Sequence, residues 1–404
     1  VSLVVLLAIV SVSGPVRAEV STDSILILVS LDGFRWDYLD LVETPHLRRL
    51  AAGGVRADGL IPVFPSKTFP SHYSIVTGLY PGHHGIISNN MIDSNLGAEF
   101  HLHDRDAVED PAWWGGEPIW VTAEKQGLMA AALFWPGSET AVAGVRPTHW
   151  QLFDRDLGFE ARVEQVLGWL QLSREKRPRM ITLYFEYPND VSHTFGPESA
   201  EAFAAAREVD ARIGDLVAGI EELGLAGAVN LVVVSDHGMA EVSPERTIFL
   251  DDHVDFEPGE VFEQGALLQV YPRAGREKQL YRALSQISKH LSIYRRSEIP
   301  ERYFLRENPR TPPILGVPDV GWKVATREVY AADDHASMKG DHGQDPSDRR
   351  MHGIFIANGP AFRSGLVIDR LESVEVYNLL AAVLNLVPAP NDGTPGALDH
   401  LLSP

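Results

Sequence analysis

Asp32, Asp236, His237, His193 and His342, with either Asn189 or Asp190, form a set of side chains able to hold divalent cations. All are oxygen or imidazole donors. The chain has no cysteine, so thiolate metal sites, cysteine nucleophiles and disulfides are excluded together. Zinc accepts such a set, and so does manganese. Two ions about 4 Å apart would use roughly this many ligands and clamp both sides of a phosphoryl transfer. Singly, each residue has a plainer reading: Asp32-Gly33 is a turn signal, and His237 could be a hydrogen-bonded loop histidine. Jointly, the metal reading prevails.

A second element is Pro65-Ser66-Lys67-Thr68-Phe69-Pro70-Ser71-His72-Tyr73. Proline suits the first turn of a helix, so Thr68 is expected just before a helix N-terminus. Backbone N–H groups and the helix dipole favour a phosphate there. A threonine hydroxyl in that place, beside a metal, can serve as nucleophile.

The elements that must position these groups are legible as apolar runs. Ile25–Leu31, 129–134, 181–186, 231–235 and 353–357 are continuous rather than alternating, as in a parallel sheet covered on both faces. Helical spacing lies between them, clearest over 201–223 and 373–386. Strand–helix alternation predicts an α/β sandwich with a central, mostly parallel sheet flanked by helices. In such sheets ligands gather at the carboxyl ends of strands. Asp32 follows the first run, Asn189, Asp190 and His193 follow the third, and Asp236 and His237 follow the fourth. The stretch 251–339 differs: strands over 266–271 and 321–326 and a helix over 277–289 predict a small α+β insertion.

The motifs resemble the nucleotide pyrophosphatase/phosphodiesterase family of the alkaline phosphatase superfamily. The matching pieces are Ser30-Leu31-Asp32-Gly33-Phe34-Arg35, the Pro65–Ser74 segment, Thr77-Gly78-Leu79-Tyr80-Pro81, His84-Gly85-Ile86 with Asn89, and Phe134-Trp135-Pro136-Gly137-Ser138-Glu139. Then come His193-Thr194-Phe195-Gly196-Pro197, Ser235-Asp236-His237-Gly238-Met239 and Gly340-Asp341-His342-Gly343. The resemblance implies an alkaline-phosphatase-like fold and two zinc ions. It implies a nucleophilic Thr68 that becomes a phospho-threonine. Asp32, Thr68, Asp236 and His237 would hold one ion, and His193 and His342 the other. Asn89 would hydrogen-bond a phosphate oxygen. Phe69 would form one wall of a nucleobase pocket; Phe153 is either the other wall or core packing. One departure stands out. The family has an aspartate four residues before the histidine matching His193, where this chain has Asn189, with Asp190 one residue later. Either could complete that site.

The implied activity is hydrolysis of nucleotide phosphodiester or pyrophosphate bonds to nucleoside 5′-monophosphates. A phosphomonoesterase or a lysophospholipid phosphodiesterase of the same superfamily are the alternatives. The net charge of −20 disfavours polymeric nucleic acid and anionic membranes as partners. It leaves small nucleotides open, because bound cations make a pocket locally positive. Val1 to Val12 is almost wholly apolar, and Val16-Arg17-Ala18 resembles a signal-peptidase site. Residues 1–18 are therefore expected to be a signal peptide and 19–404 the catalytic domain. The apolar run is shorter than the roughly 20 residues of a membrane span. Export without cysteine or an Asn-X-Ser/Thr sequon fits a bacterial periplasmic or secreted enzyme.

Overall fold

The computed structural model describes residues 24–257, 259–332 and 338–404. The expected signal peptide lies outside them. Among the described residues no helix is long and apolar enough to cross a membrane.

Eight strands form the central sheet. Their spatial order is Leu366–Ile368, Val55–Ala57, Phe355–Asn358, Val229–Val234, Ile25–Leu31, Met180–Phe185, Ala130–Leu133 and His149–Gln151. The central strand Ile25–Leu31 runs parallel to both neighbours, with Ile27 opposite Ile181 on one side and Leu231 on the other. All seven of its residues are buried, and they alternate between two cores. Ile25, Ile27, Val29 and Leu31 pack with Val163, Val166, Val209, Ile213 and Leu216 from helices Phe159–Leu170 and Ala200–Glu222. Leu26 and Leu28 belong to the opposite core, with Ile75, Val76, Trp120, Leu379 and Leu380. Two-sided burial explains why the strand sequences show no polar alternation.

One strand departs from the expected parallel arrangement. Phe355–Asn358 runs antiparallel to both Val229–Val234 and Val55–Ala57. An apolar run reports burial on both faces, not direction, so hydropathy carried no signal of the reversal. The helix expected over 373–386 divides into a 3-10 turn, Ser373–Glu375, and an α-helix, Val376–Val383.

Between the core strands Val229–Val234 and Phe355–Asn358 lies an antiparallel sheet of four strands. Their order is Gly259–Glu263, Leu268–Pro272, Ile314–Pro318 and Leu291–Arg295. Helix Glu277–Leu284 sets Leu280 and Leu284 into a separate core with Leu268, Val270 and Ile314. That helix is shorter than the expected 277–289. Ser285 follows it and donates its hydroxyl to the Tyr281 carbonyl, and the chain then turns.

Candidate active site

Three strand ends bring the acidic and imidazole groups together. Asp32 follows Ile25–Leu31 and Asp236-His237 follows Val229–Val234, so strand pairing alone makes them neighbours. Ligand atoms of Asp32, Asp236 and His237 lie within 4.8 Å of one another, and all three residues are buried. Helix Asn189–Phe195 follows the third strand and carries Asn189 and His193. The Asn189 N–H donates to the Asp32 carbonyl at 3.0 Å. Gly33, at φ +67°, makes room for this approach: a Cβ there would stand 2.9 Å from the Asn189 Cβ.

Each histidine is oriented by a backbone carbonyl. Nδ1 of His237 lies 2.8 Å from the Gly238 oxygen, that of His193 2.9 Å from Gly340, and that of His342 2.9 Å from Ser66. A carbonyl only accepts, so Nδ1 carries the proton in all three and Nε2 presents a lone pair. The rings are adjacent: His237 and His342 stack with centroids 3.5 Å apart, and His193 and His342 lie 5.0 Å apart. Burial pushes the pKa of His342 well below the ordinary value, helped by His237 and His193. Burial also lowers that of His193, against the pull of Asp341. Both are held as neutral imidazoles, the form a metal ligand requires.

The carboxylates complete the picture. Nε2 of His237 sits 3.0 Å from Asp236 Oδ2 and 3.4 Å from Asp32 Oδ1. With the proton on Nδ1, lone pairs face lone pairs. Burial, and then the Asp236 charge, push Asp32 well above the usual carboxylate range. Burial opposes ionisation of Asp236 too, and positive charge on His237 and His72 is what would hold it well below that range; with His237 neutral, a bound cation would supply that charge. Buried Asp32 Oδ1, Asp236 Oδ2 and Asn189 Oδ1 have no hydrogen-bond partner among the described residues. Buried acceptors facing one another are stable when a cation lies among them. The donor set therefore fits divalent metal.

Asn189 and Asp190 part company here. Asn189 is 8% exposed, with its Oδ1 unpartnered. Asp190 turns outward to an ion pair with Arg155.

Thr68 is the first residue of helix Thr68–Thr77, with Lys67 as its N-cap, so the helix begins one position earlier than the sequence suggested. Its Oγ1 lies 3.5 Å from His237 Nε2. Pro70 has no N–H, and the Phe69 N–H donates to Asn89 Oδ1 at 2.9 Å. That bond fixes the Asn89 amide so that Nδ2 is its exposed donor. Phe69 is half-buried against Phe100 and Trp114. Phe153 is 37% exposed, so it is not the core residue it could have been. Its ring meets Phe134 and Tyr184 edge-on.

Sequence reasoning assigned no role to two side chains that border the carboxylates. The Tyr184 hydroxyl donates to Asp32 Oδ2 at 2.7 Å. His72 is held by the Thr68 carbonyl, 2.8 Å from its Nδ1, and by the Ser30 hydroxyl, 2.8 Å from its Nε2, which leaves Nδ1 3.1 Å from Asp236 Oδ2. Strand register was the signal for Tyr184, which pairs with Ser30, two residues before Asp32.

Residues 26–345 match the family model described as type I phosphodiesterase / nucleotide pyrophosphatase. The chain belongs to this family. The match spans every candidate residue from Asp32 to His342. Relatives within the phosphodiesterase family include human ectonucleotide pyrophosphatase/phosphodiesterase family member 1, 38% identical over 93% of this chain and 41% of its own length. A venom phosphodiesterase of Crotalus durissus collilineatus is 39% identical over 93% of this chain and 46% of its own. The chain thus spans less than half the length of these curated relatives. Among solved structures, murine ectonucleotide pyrophosphatase/phosphodiesterase 5 superposes with a TM-score of 0.89 at 34% identity, over 94% of this chain and 100% of that one. That structure is an inactive threonine-to-alanine variant in complex with AMP.

Proposed function

We propose that this protein hydrolyses nucleotide phosphodiester or pyrophosphate bonds to nucleoside 5′-monophosphates, with Thr68 as nucleophile and two zinc ions as cofactors. The observation that carries the reading is the cluster of Asp32, Asp236 and His237 beside Thr68 at a helix N-terminus, with the rings of His342 and then His193 adjoining His237 and all three imidazoles tethered through Nδ1. Asp32, Asp236, His237 and Thr68 would hold one ion; His193, His342 and Asn189 would hold the other. When bound, the ions supply Lewis-acid stabilisation for an in-line phosphoryl transfer. Thr68 Oγ1 forms the new P–O bond as the leaving alkoxide or phosphate departs. Water then opens the phospho-threonine. Asn89 Nδ2 donates to a non-bridging oxygen as negative charge grows there. Phe69 and Phe153 offer aromatic faces for a base. AMP, found with the murine relative, is a nucleoside 5′-monophosphate. An exported location agrees with the apolar Val1 to Val12 run and with the venom relatives.

Diester preference follows from where the nearby cations point. A monoester brings extra negative charge that a free cation would have to meet. Lys67 is paired with Glu263 at 2.6 Å, and Arg155 is paired with Asp190. A nitrophenyl nucleotide diester should therefore turn over faster than nitrophenyl phosphate, and both rates should vanish with chelator. Faster monoester turnover would overturn the substrate assignment.

Asn189 offers a neutral amide where a carboxylate would add charge, so the ion held with His193 and His342 is expected to be the more weakly bound. Asn189→Asp should tighten one of the two sites by about tenfold or more. Competitive titration against a chromophoric chelator checks this; identical affinities in both proteins would refute it.

A further inference from the structure

We infer that Glu263, on the inserted sheet, is a positioning residue for the proposed reaction, holding Thr68 and Asn89 in register with one another. It deepens the reading above and rests on the roles given there to Thr68 and Asn89.

Glu263 is 5% exposed. Its Oε1 accepts from Lys67 Nζ at 2.6 Å, and its Oε2 accepts from the Ser88 hydroxyl at 2.8 Å. Lys67 immediately precedes Thr68, and Ser88 immediately precedes Asn89. Asn89 in turn accepts the Phe69 N–H at 2.9 Å. A closed ring results: Lys67 to Glu263, Glu263 to Ser88, Ser88 through the chain to Asn89, Asn89 to Phe69, and Phe69 back through Thr68 to Lys67. Thr68 sits within it. A second brace comes from Gln269, fully buried, whose Nε2 donates both to Glu263 Oε2 and to the Asn90 carbonyl at 2.9 Å. Asn89 is thus flanked by anchored residues on both sides.

Two features set Glu263 apart from an incidental ion pair. The pairing of Gly259–Glu263 with Leu268–Pro272 shifts register between Val261 and Glu263, leaving Phe262 as the extra residue of a bulge. Bulges re-aim side chains, and this one puts Glu263 opposite Gln269, facing the site. Burying a carboxylate and an ammonium also gives little net stability, because desolvation offsets their attraction. What the arrangement provides is geometry. Lys67 lies close to Gly343, beside His342, where an added Cβ would be 3.1 Å from Lys67 Cε. Lys67 therefore also borders the loop that carries His342.

The test is a double-mutant cycle on the full chain. Glu263→Gln keeps the shape and removes the charge, and it should lower kcat about 10- to 100-fold with KM little changed, as expected for misplaced reacting groups. Zinc content by mass spectrometry should stay at the wild-type value. In an Asn89→Ala background the same substitution should cost less than about threefold, because the group it positions is gone. Additive losses, or a raised KM with kcat intact, would overturn the proposal. Should Glu263→Gln not fold, Ser88→Ala in both backgrounds decides, since it leaves the Lys67–Glu263 pair intact. Were the wild type to prefer a monoester, the diester reading would fail while the cycle, run on the monoester, still judged Glu263.

Discussion

Thr68→Ala should reduce turnover of a nucleotide diester by about 10³-fold or more, the scale of loss when an attacking group is deleted. The fold should survive. Thr68 is half-buried at the first position of its helix, and Lys67, not Thr68, occupies the N-cap. Alanine keeps the helix and removes the hydroxyl together with the γ-methyl group. Thr68→Ser keeps the oxygen and loses a methyl group, so it should retain measurable activity. Mass spectrometry of acid-quenched enzyme should find a phosphate on a peptide containing Thr68 in the wild type and none in the alanine variant. A near-normal rate in Thr68→Ala would remove the covalent mechanism, whatever the metal content.

Chelation carries the second large effect, and it should appear in stability as well as rate. Asp32 and Asp236 are each 1% exposed, and the unpartnered oxygens of both lie beside His237 Nε2. Without cations these acceptors are buried against one another, a costly arrangement. Ligands that bind only the folded chain stabilise it by mass action, by about 4 kcal/mol at a thousandfold excess over Kd. The unfolding temperature should therefore fall on chelation and recover with added zinc, in parallel with activity. His237→Ala and His342→Ala should each lose about 10³-fold or more in turnover if two ions are bound as proposed, because neither alone could then serve both sides of the transfer. Elemental analysis should find fewer ions in each variant. Full activity in excess chelator would refute metal dependence.

The donor chemistry was legible early because it sits next to strong local signals. Asp32 directly follows a seven-residue apolar strand, and Asp236 comes two residues after another. Where apolar runs end, a parallel sheet delivers its side chains to one edge, so the acids could be grouped before any distance was known. The mixed pattern of the 251–339 stretch also predicts a small α+β insertion there. Orientation was not visible. Asn189 and Asp190 are adjacent and equally short, yet one is buried with an unpartnered Oδ1 and the other meets Arg155. Arg155 lies 35 residues away in sequence, and no period links the two positions.

Taken alone, the sequence determined which donors are available, that no thiolate competes with them, and that several stand at strand ends. Those properties depend on residue identity and on the order of near neighbours. Only the tertiary structure decided the reversed direction of Phe355–Asn358, the outward turn of Asp190 to Arg155, the backbone carbonyls that meet the three histidines and the reach of Glu263 to Lys67 and Ser88. The physical reason is distance along the chain. His342 takes its tautomer from a carbonyl 276 residues away, and Glu263 meets Lys67 across 196. A hydrophobic period records which face of an element is buried, whereas a contact between distant segments is set by how those buried faces pack.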